Sequence, residues 1–394
     1  MTTELSPMTP GLHRFYMMDR IVHGRPAAEA LQAEVTRLEK SNVFLVTNKS
    51  LAGGSRVAAI VRELGDRYAG QFAGVTAHGP RQSVIDGANA ARAANADLLV
   101  AVGGGSVIDA VKVMQLCLRN SVRDAGTLSD FVVLGRGDPS TRPADADRWI
   151  RMIAIPTTLS AAEFTWFGGA FNPESGMKEA FSNAMMIPQV IIMDPQMTME
   201  TPMHLLLTTG MKAVDHAAER LASLKSNPYN DAVSSLALRL LSSGLRTAHR
   251  DPADGEARSQ LQYGAFMSMC GAAAGAPVGI GHAIGHALGA HCAVPHGETS
   301  CVMLPAVMQW NQPSNPDRQS IVAASLGHQA GSASAAVADL VAELGLPRTL
   351  RDVGISRTDL RTIARKAFGD ILVKSNPRPV QAISDIEEIL ELAW

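Results

Sequence analysis

The stretch ADLLVAVGGGS, residues 96–106, decides the fold. Residues 98–102 are apolar without interruption, which suits a strand buried on both faces. Three glycines follow, and the pattern then turns helical from Val107 to about Leu118. Glycines at 103–105 remove the Cβ atoms where a pyrophosphate must approach the backbone, and the free N–H groups of the next helix face the anion. Strand, glycines and helix in this order point to phosphate binding at Gly103, Gly104, Gly105 and Ser106. A glycine run by itself would mark only a tight turn.

Outward from this loop the same alternation repeats. NVFLVTN (42–48), FAGVTA (72–77), MIAIPTT (152–158) and QVIIMDP (189–195) read as further strands. Helices are expected near Arg56–Leu64 and after Pro80. Apolar strands separated by helices predict a parallel sheet covered on both faces. Residues 128–147, rich in Gly, Pro, Asp and Arg, read as a surface excursion. Beyond Pro195 the spacing becomes three-and-four over 205–224, 230–246 and 335–344. The expectation is therefore a Rossmann-like α/β domain over residues 1–196 and an all-α domain over 197–394, with a cleft between them. Thr157 and Thr158, after a strand, suit hydrogen bonds to a cofactor or the capping of a helix.

Bulk properties narrow the class. The chain has 394 residues, 46% hydrophobic and 18% charged, with a formal net charge of -2 and no dense basic block. Nucleic acid and membrane surfaces are not indicated as partners. Cys117, Cys270, Cys292 and Cys301 are scattered and read as reduced thiols. The first residues lack a signal-peptide pattern and no apolar run reaches about 18 residues, so a cytoplasmic protein is expected.

The densest chemistry lies in GIGHAIGHALGAHCAVPHGE, residues 279–298, which holds four of the eleven histidines. His282 and His286 share a helix face at a spacing of four. His296 follows Pro295, on what reads as a turn. Upstream, KAVDHAAER sets Lys212 and His216 at the same spacing, with Asp215 one residue before His216. Imidazoles that converge in this way suit Zn or Fe, and His286 suits proton transfer.

Taken together, Gly103–Asp109, Pro156-Thr157-Thr158, Asp194-Pro195, the GHAIGHALGA…PHG block and the closing NPRP turn resemble the iron-containing (group III) alcohol dehydrogenase family. The order and spacing match across nearly the whole chain. Tyr263-Gly264 and HAxxHALGA look closest to its maleylacetate reductase branch, although His282-Ala283-Ile284-Gly285-His286 lacks that branch's lysine and cysteine. The resemblance implies the architecture shared by dehydroquinate synthase and the iron alcohol dehydrogenases. It also implies NAD or NADP held by Gly103–Ser106, Asp109, Thr157 and Thr158, with catalysis in the cleft. A family metal would use His216, His282 and His296, with His286 beside the substrate, and a homodimer or larger homo-oligomer follows from the family's habits.

Two positions depart from the family. Its ligand aspartate falls on Lys212, whose ammonium has no lone pair and repels a divalent ion. Asp215 as a replacement ligand would point about 100° away from His216 around a helix. This charge argument favours a weak or absent metal, with Lys212 polarising the substrate oxygen. After the strand at 42–48, Asn48 beside Lys49 stands where an aspartate would reject the 2′-phosphate of NADP, which leaves NAD versus NADP open.

The expected function is hydride transfer between a nicotinamide and a small carbonyl, alcohol or unsaturated keto acid, with His286, Lys212 and His282 as catalytic residues. Its rivals are an Fe- or Zn-dependent alcohol dehydrogenase or aldehyde reductase, a dehydroquinate-synthase-type lyase or cyclase, and a non-catalytic cofactor-binding homologue. Arg14, Arg20 and Arg151 are candidates for a substrate carboxylate, with a surface role the plainer reading for each. Phe164 and Trp166 are candidates for a pocket wall or for the core.

Overall fold

The computed structural model describes residues 12–76, 79–133, 140–328 and 331–394. They form two compact units, one of Phe15–Glu200 and one joining residues 12–14 to Thr201–Trp394.

In the first unit the strands are β1 (Arg20–His23), β2 (Val43–Val46), β3 (Tyr68–Phe72), β4 (Leu98–Gly103), β5 (Met152–Pro156), β6 (Phe167–Asn172), β7 (Met177–Ser182) and β8 (Val190–Met193). Six of them make a parallel sheet in the order β1-β8-β5-β4-β2-β3, and β6 pairs antiparallel with β7. The helices are α1 (Ala27–Arg37), α2 (Lys49–Ala52), α3 (Ser55–Leu64), α4 (Arg81–Ala93) and α5 (Gly105–Arg119). Every residue of β2, β4, β5 and β8 is buried, which explains their unbroken apolar runs. Each such Val, Leu or Ile contributes roughly 1.5–3 kcal/mol on leaving water.

The chain steps from β2 outward to β3, then crosses back to β4 on the other side of β2. The strand order therefore reverses between β2 and β4, where an open sheet leaves a crevice at its carboxyl ends. The expected strand at 72–77 is corrected: pairing covers Tyr68–Phe72, and Ala77 lies outside the described residues. The half-buried edge strand Tyr-Ala-Gly-Gln-Phe lacks the apolar run that marks a central strand. In the expected excursion, residues 134–139 lie outside the described residues, and Leu128 is buried.

Beneath α5, Lys112 is buried and donates to Ala162 O at 2.5 Å, Thr165 Oγ1 at 2.7 Å and Phe167 O at 3.0 Å. Burial pushes its pKa down to about 8 despite Asp109 and Glu163 nearby. Burial likewise pushes the Glu163 carboxyl from 4.5 up to about 7, outweighing the pull of Lys112. A carboxyl with a raised folded-state pKa costs stability as pH rises from its unfolded value through its folded one. Glu163→Gln is therefore expected to stabilise the chain by on the order of 2–3 kcal/mol at pH 8. The gain should vanish toward about pH 3.5, where Glu163 is largely protonated in both states. Urea unfolding at the two pH values checks this, and an equal gain at both would contradict it.

The second unit is helical: α6 (Met203–Ala222), α7 (Pro228–Arg250), α8 (Gly255–Ala273), α9 (Ile280–Cys292), α10 (His296–Asn311), α11 (Pro316–Ser325), α12 (Ala333–Glu343), α13 (Leu360–Phe368) and α14 (Ile383–Leu392). α6 packs against α7, α8, α10 and α11, while α9 and α10 share a core with α13 and α14. His296 is the first residue of α10, which corrects the turn expected there. Pro295 ends one segment and sets the entry of the next, so a turn and a helix start share its signal.

Among the described residues no helix is long and apolar enough to cross a membrane. Cys117, Cys270, Cys292 and Cys301 are all free.

Candidate active site

Three segments expected to hold a cofactor lie at the carboxyl ends of adjacent strands. Asn48 follows β2, Gly103–Gly105 close β4, and Thr157 and Thr158 follow β5. Register places Val46 beside Ala101 and Gly103 beside Pro156, and Thr157 N donates to Gly103 O at 3.1 Å. Gly104, the N-cap residue of α5, makes no side-chain cap. A Cβ on Gly104 would meet Thr158 Cγ2 at 2.9 Å and Oγ1 at 3.0 Å, and one on Gly105 would meet Ser160 Oγ at 2.9 Å. The glycines are thus fixed by close packing. A pyrophosphate fits there, on N–H donors and the positive end of the helix dipole. Thr158 Oγ1 is buried without a partner, which adds an open hydroxyl beside the loop.

Two other residues of this group have protein partners. Asn48 caps α2, accepting from Leu51 N at 3.1 Å and Ser50 Oγ at 2.7 Å. Asp109 pairs with Lys178 of β7 at 2.8 Å. Asp194 accepts from Ala27 N at 2.8 Å and Gln196 N at 2.9 Å, so that motif anchors α1.

The candidate carboxylate partners divide. Arg151 donates to Met17 O at 2.7 Å and Ile187 O at 3.0 Å, and Arg20 faces Glu34 at 3.6 Å. Both act within the first unit. Arg14 N donates to Ala273 O at 2.8 Å in the second. Phe164 is buried, and Trp166 packs on Tyr16 with ring centroids 5.2 Å apart.

The second unit gathers its polar groups around α6 and α9. Lys212, Asp215, His216 and Glu219 follow a three-and-four spacing and so line one stripe of α6. Facing them, α9 brings His282, whose ring stacks on His216 with centroids 5.1 Å apart. Asp215 Oδ1 lies 3.8 Å from His282 Nδ1. The expectation that Asp215 points away is thereby corrected, because His282 is flanked by Asp215 and His216 together. Lys212 Nζ donates to Asp215 Oδ2 at 3.0 Å, and Ser300 Oγ of α10 donates to the same oxygen at 2.7 Å.

Glu219 was not foreseen. It accepts from Gly279 N at 3.1 Å and Gly281 N at 2.9 Å and lies against His282 Nδ1. It therefore caps the amino end of α9 from a neighbouring helix, assisted by Asn376, which accepts from Ile280 N at 3.2 Å. A Cβ on Gly281 would meet Glu219 Oε1 at 2.9 Å, so the glycine before His282 admits this carboxylate. With Glu219 accepting from Nδ1–H, His282 Nε2 keeps its lone pair, and that atom is buried without a partner.

Electrostatics follow from burial and from Lys212. Burial, then the Lys212 ammonium, hold His216 and His282 well below the ordinary histidine range, so both rings are neutral. Burial pushes Asp215 upward, but the Lys212 ammonium outweighs it, helped by the Ser300 hydroxyl, and holds the carboxylate below its usual range. Glu219 is pushed up to about 7 by burial and by the charge of Asp215.

His286, one turn along α9, stands apart. Its Nδ1 lies 2.7 Å from Asp370 Oδ2 and its side chain is 46% exposed, which suits exchange of a proton. His296 approaches it edge-on, with centroids 6.1 Å apart.

The model of iron-containing alcohol dehydrogenases matches residues 19–195, and the model of the C-terminal part of the Fe-containing alcohol dehydrogenase family matches residues 206–394. The chain belongs to the iron-containing alcohol dehydrogenase family. It is an NAD(P)-dependent oxidoreductase acting on a small molecule. Dehydrogenase ALT3 of Alternaria alternata is 33% identical over 85% of this chain and 94% of its own. Maleylacetate reductase of Rhizobium sp. (strain MTP-10005) is 29% identical over 95% of both. The crystal structure of maleylacetate reductase from that strain superposes with a TM-score of 0.81, covering 98% of this chain and 99% of that one at 28% identity.

The family's description names iron, and the donors present test whether an ion fits. His216, His282 and His296 are not the convergent set. Among the described residues, the three donors whose ligand atoms lie within 4.8 Å of one another are Asp215, Glu219 and His282. Glu219 caps α9, His282 Nδ1 faces Glu219, and Asp215 Oδ2 binds the Lys212 ammonium, which leaves Asp215 Oδ1 and His282 Nε2 open. A divalent ion about 4 Å from that ammonium would be repelled by roughly 8 kcal/mol at an effective dielectric of about 20. The donor set of this member of the family does not fit a resident iron or zinc ion.

Proposed function

We propose that the chain uses NADH or NADPH to reduce the C=C bond of an unsaturated dicarboxylic keto acid of the maleylacetate type. The observation that carries this reading is the similarity to maleylacetate reductases over 95% of the chain. NAD(P)H supplies the hydride, which adds to the alkene carbon β to the ketone. Negative charge then moves onto the ketone oxygen as an enolate, and a proton completes the product at the α carbon. Gly103–Ser106 hold the pyrophosphate, with Thr157 and Thr158 lining the same edge. Asn48 is neutral and committed to a helix cap, so nothing at this position repels a 2′-phosphate, and both cofactors are accepted.

In this reading His286 delivers the proton. Asp370 accepts from Nδ1–H and orients the ring, and the proton is given up from Nε2–H. His286→Asn is expected to lower kcat about 100-fold with little change in KM, and Asp370→Asn about tenfold. Steady-state kinetics at pH 7 check both, and a His286→Asn enzyme within threefold of the wild type would refute the assignment.

Oxidation of NADH and of NADPH with maleylacetate and a panel of short aldehydes tests the substrate. Faster turnover of an aldehyde would favour a simple carbonyl, in line with the 33% identical relative whose name, dehydrogenase, carries no substrate. A cytoplasmic location and a homodimer or larger homo-oligomer belong to the same reading, and size-exclusion chromatography checks the assembly.

A further inference from the structure

We propose that this enzyme carries its active-site cation covalently: the Lys212 ammonium stands in for the divalent ion and faces the substrate oxygen. The inference rests on the reductase reading above for its substrate, but not for its test.

The geometry supports it in three ways. Lys212 lies on the same stripe of α6 as Asp215, His216 and Glu219, with its side chain only 15% exposed. Its position is fixed at 3.0 Å from Asp215 Oδ2, and Asp215 is itself held by Ser300 Oγ at 2.7 Å. Among the described residues Asp215 is the single hydrogen-bond partner of Lys212, which leaves two of its three N–H groups for a ligand.

His216 and His282 are neutral, and His216 Nδ1, His282 Nε2 and Asp215 Oδ1 are buried polar atoms without partners. Arg220 also acts on both rings, so Lys212 and Arg220 supply the positive charge here against the Asp215 carboxylate. An ammonium supplies one unit charge in place of two, which is adequate for an enolate oxygen whose charge is shared with carbon. No proton need leave Lys212, because its contribution is charge and hydrogen bonding alone.

Metal binding tests the proposal independently of turnover. Wild-type enzyme, dialysed against a chelator, is titrated calorimetrically with Zn²⁺ alone and with Fe²⁺ alone under anaerobic conditions. Elemental analysis follows on the gel-filtered protein. Wild type is expected to retain neither ion. Lys212→Asp restores a carboxylate and removes the ammonium, and should bind one equivalent at least about 100-fold more tightly than wild type. One equivalent of ion retained by wild type would overturn the proposal, as would a folded Lys212→Asp enzyme that takes up none.

Lys212→Ala supplies a second arm should the aspartate variant fail to fold. Ethylammonium added to it is expected to recover turnover about tenfold or more, and a divalent ion to recover none. The reverse pattern would overturn the proposal. Absence of maleylacetate turnover in the wild type would instead refute the substrate reading and leave the metal titrations standing.

Discussion

Lys212→Met is expected to lower kcat by about 10²–10³-fold, the range typical for removing one donor aimed at a developing oxyanion. Met keeps the length and apolar contacts of the stem while deleting the charge. The ammonium is fixed by Asp215, which Ser300 holds in turn, so little reorganisation would accompany a buildup of charge on the substrate oxygen. The loss should therefore fall on kcat rather than KM. The same change leaves Asp215 buried without its cation, so urea unfolding should also register a loss of roughly 3 kcal/mol or more. A kcat within threefold of wild type, in a protein that has lost this stability, would make Lys212 a structural residue only.

Gly104→Val carries the other large effect. Its Cβ would already lie 2.9 Å from Thr158 Cγ2, and two further methyl groups cannot be placed without moving the loop away from β5. The N–H groups at the start of α5 would then lose their aim. Cofactor Kd is expected to rise about 100-fold or more for NADH and NADPH alike, because the pyrophosphate is common to both. Fluorescence titration reads this directly. An unchanged Kd would remove the glycine loop from the cofactor site.

The parts of the fold legible in the sequence were those where one physical signal dominates. β2, β4, β5 and β8 are buried on both faces, so they read as apolar runs whatever their neighbours. β1 and β3 lie at the sheet edges with half-buried residues, and neither the run nor the alternation is clean. The β6–β7 pair opens with Phe-Gly-Gly, a weak strand former held by its partner strand rather than by propensity.

The active-site residues divide in the same way. His282 and His286 announce themselves by spacing, and Lys212 by standing where a resemblance expects a carboxylate. Glu219 was available to the same stripe argument, three residues beyond His216 on α6, yet its role as a cap for α9 depends on a contact 60 residues away. Asp370 meets His286 across 84 residues, and Ser300 meets Asp215 across 85, with no local pattern to link them. Such partners are set by helix packing and become visible only in the folded chain.

The proposed enzyme is an NAD(P)-dependent reductase whose electrophilic cation is a lysine. The most direct measurement is NADH and NADPH oxidation with maleylacetate before and after exhaustive treatment with a chelator. Turnover that survives the chelator unchanged is the predicted result. Turnover abolished by the chelator and restored by Fe²⁺ or Zn²⁺ would contradict it and return the site to a histidine-held metal.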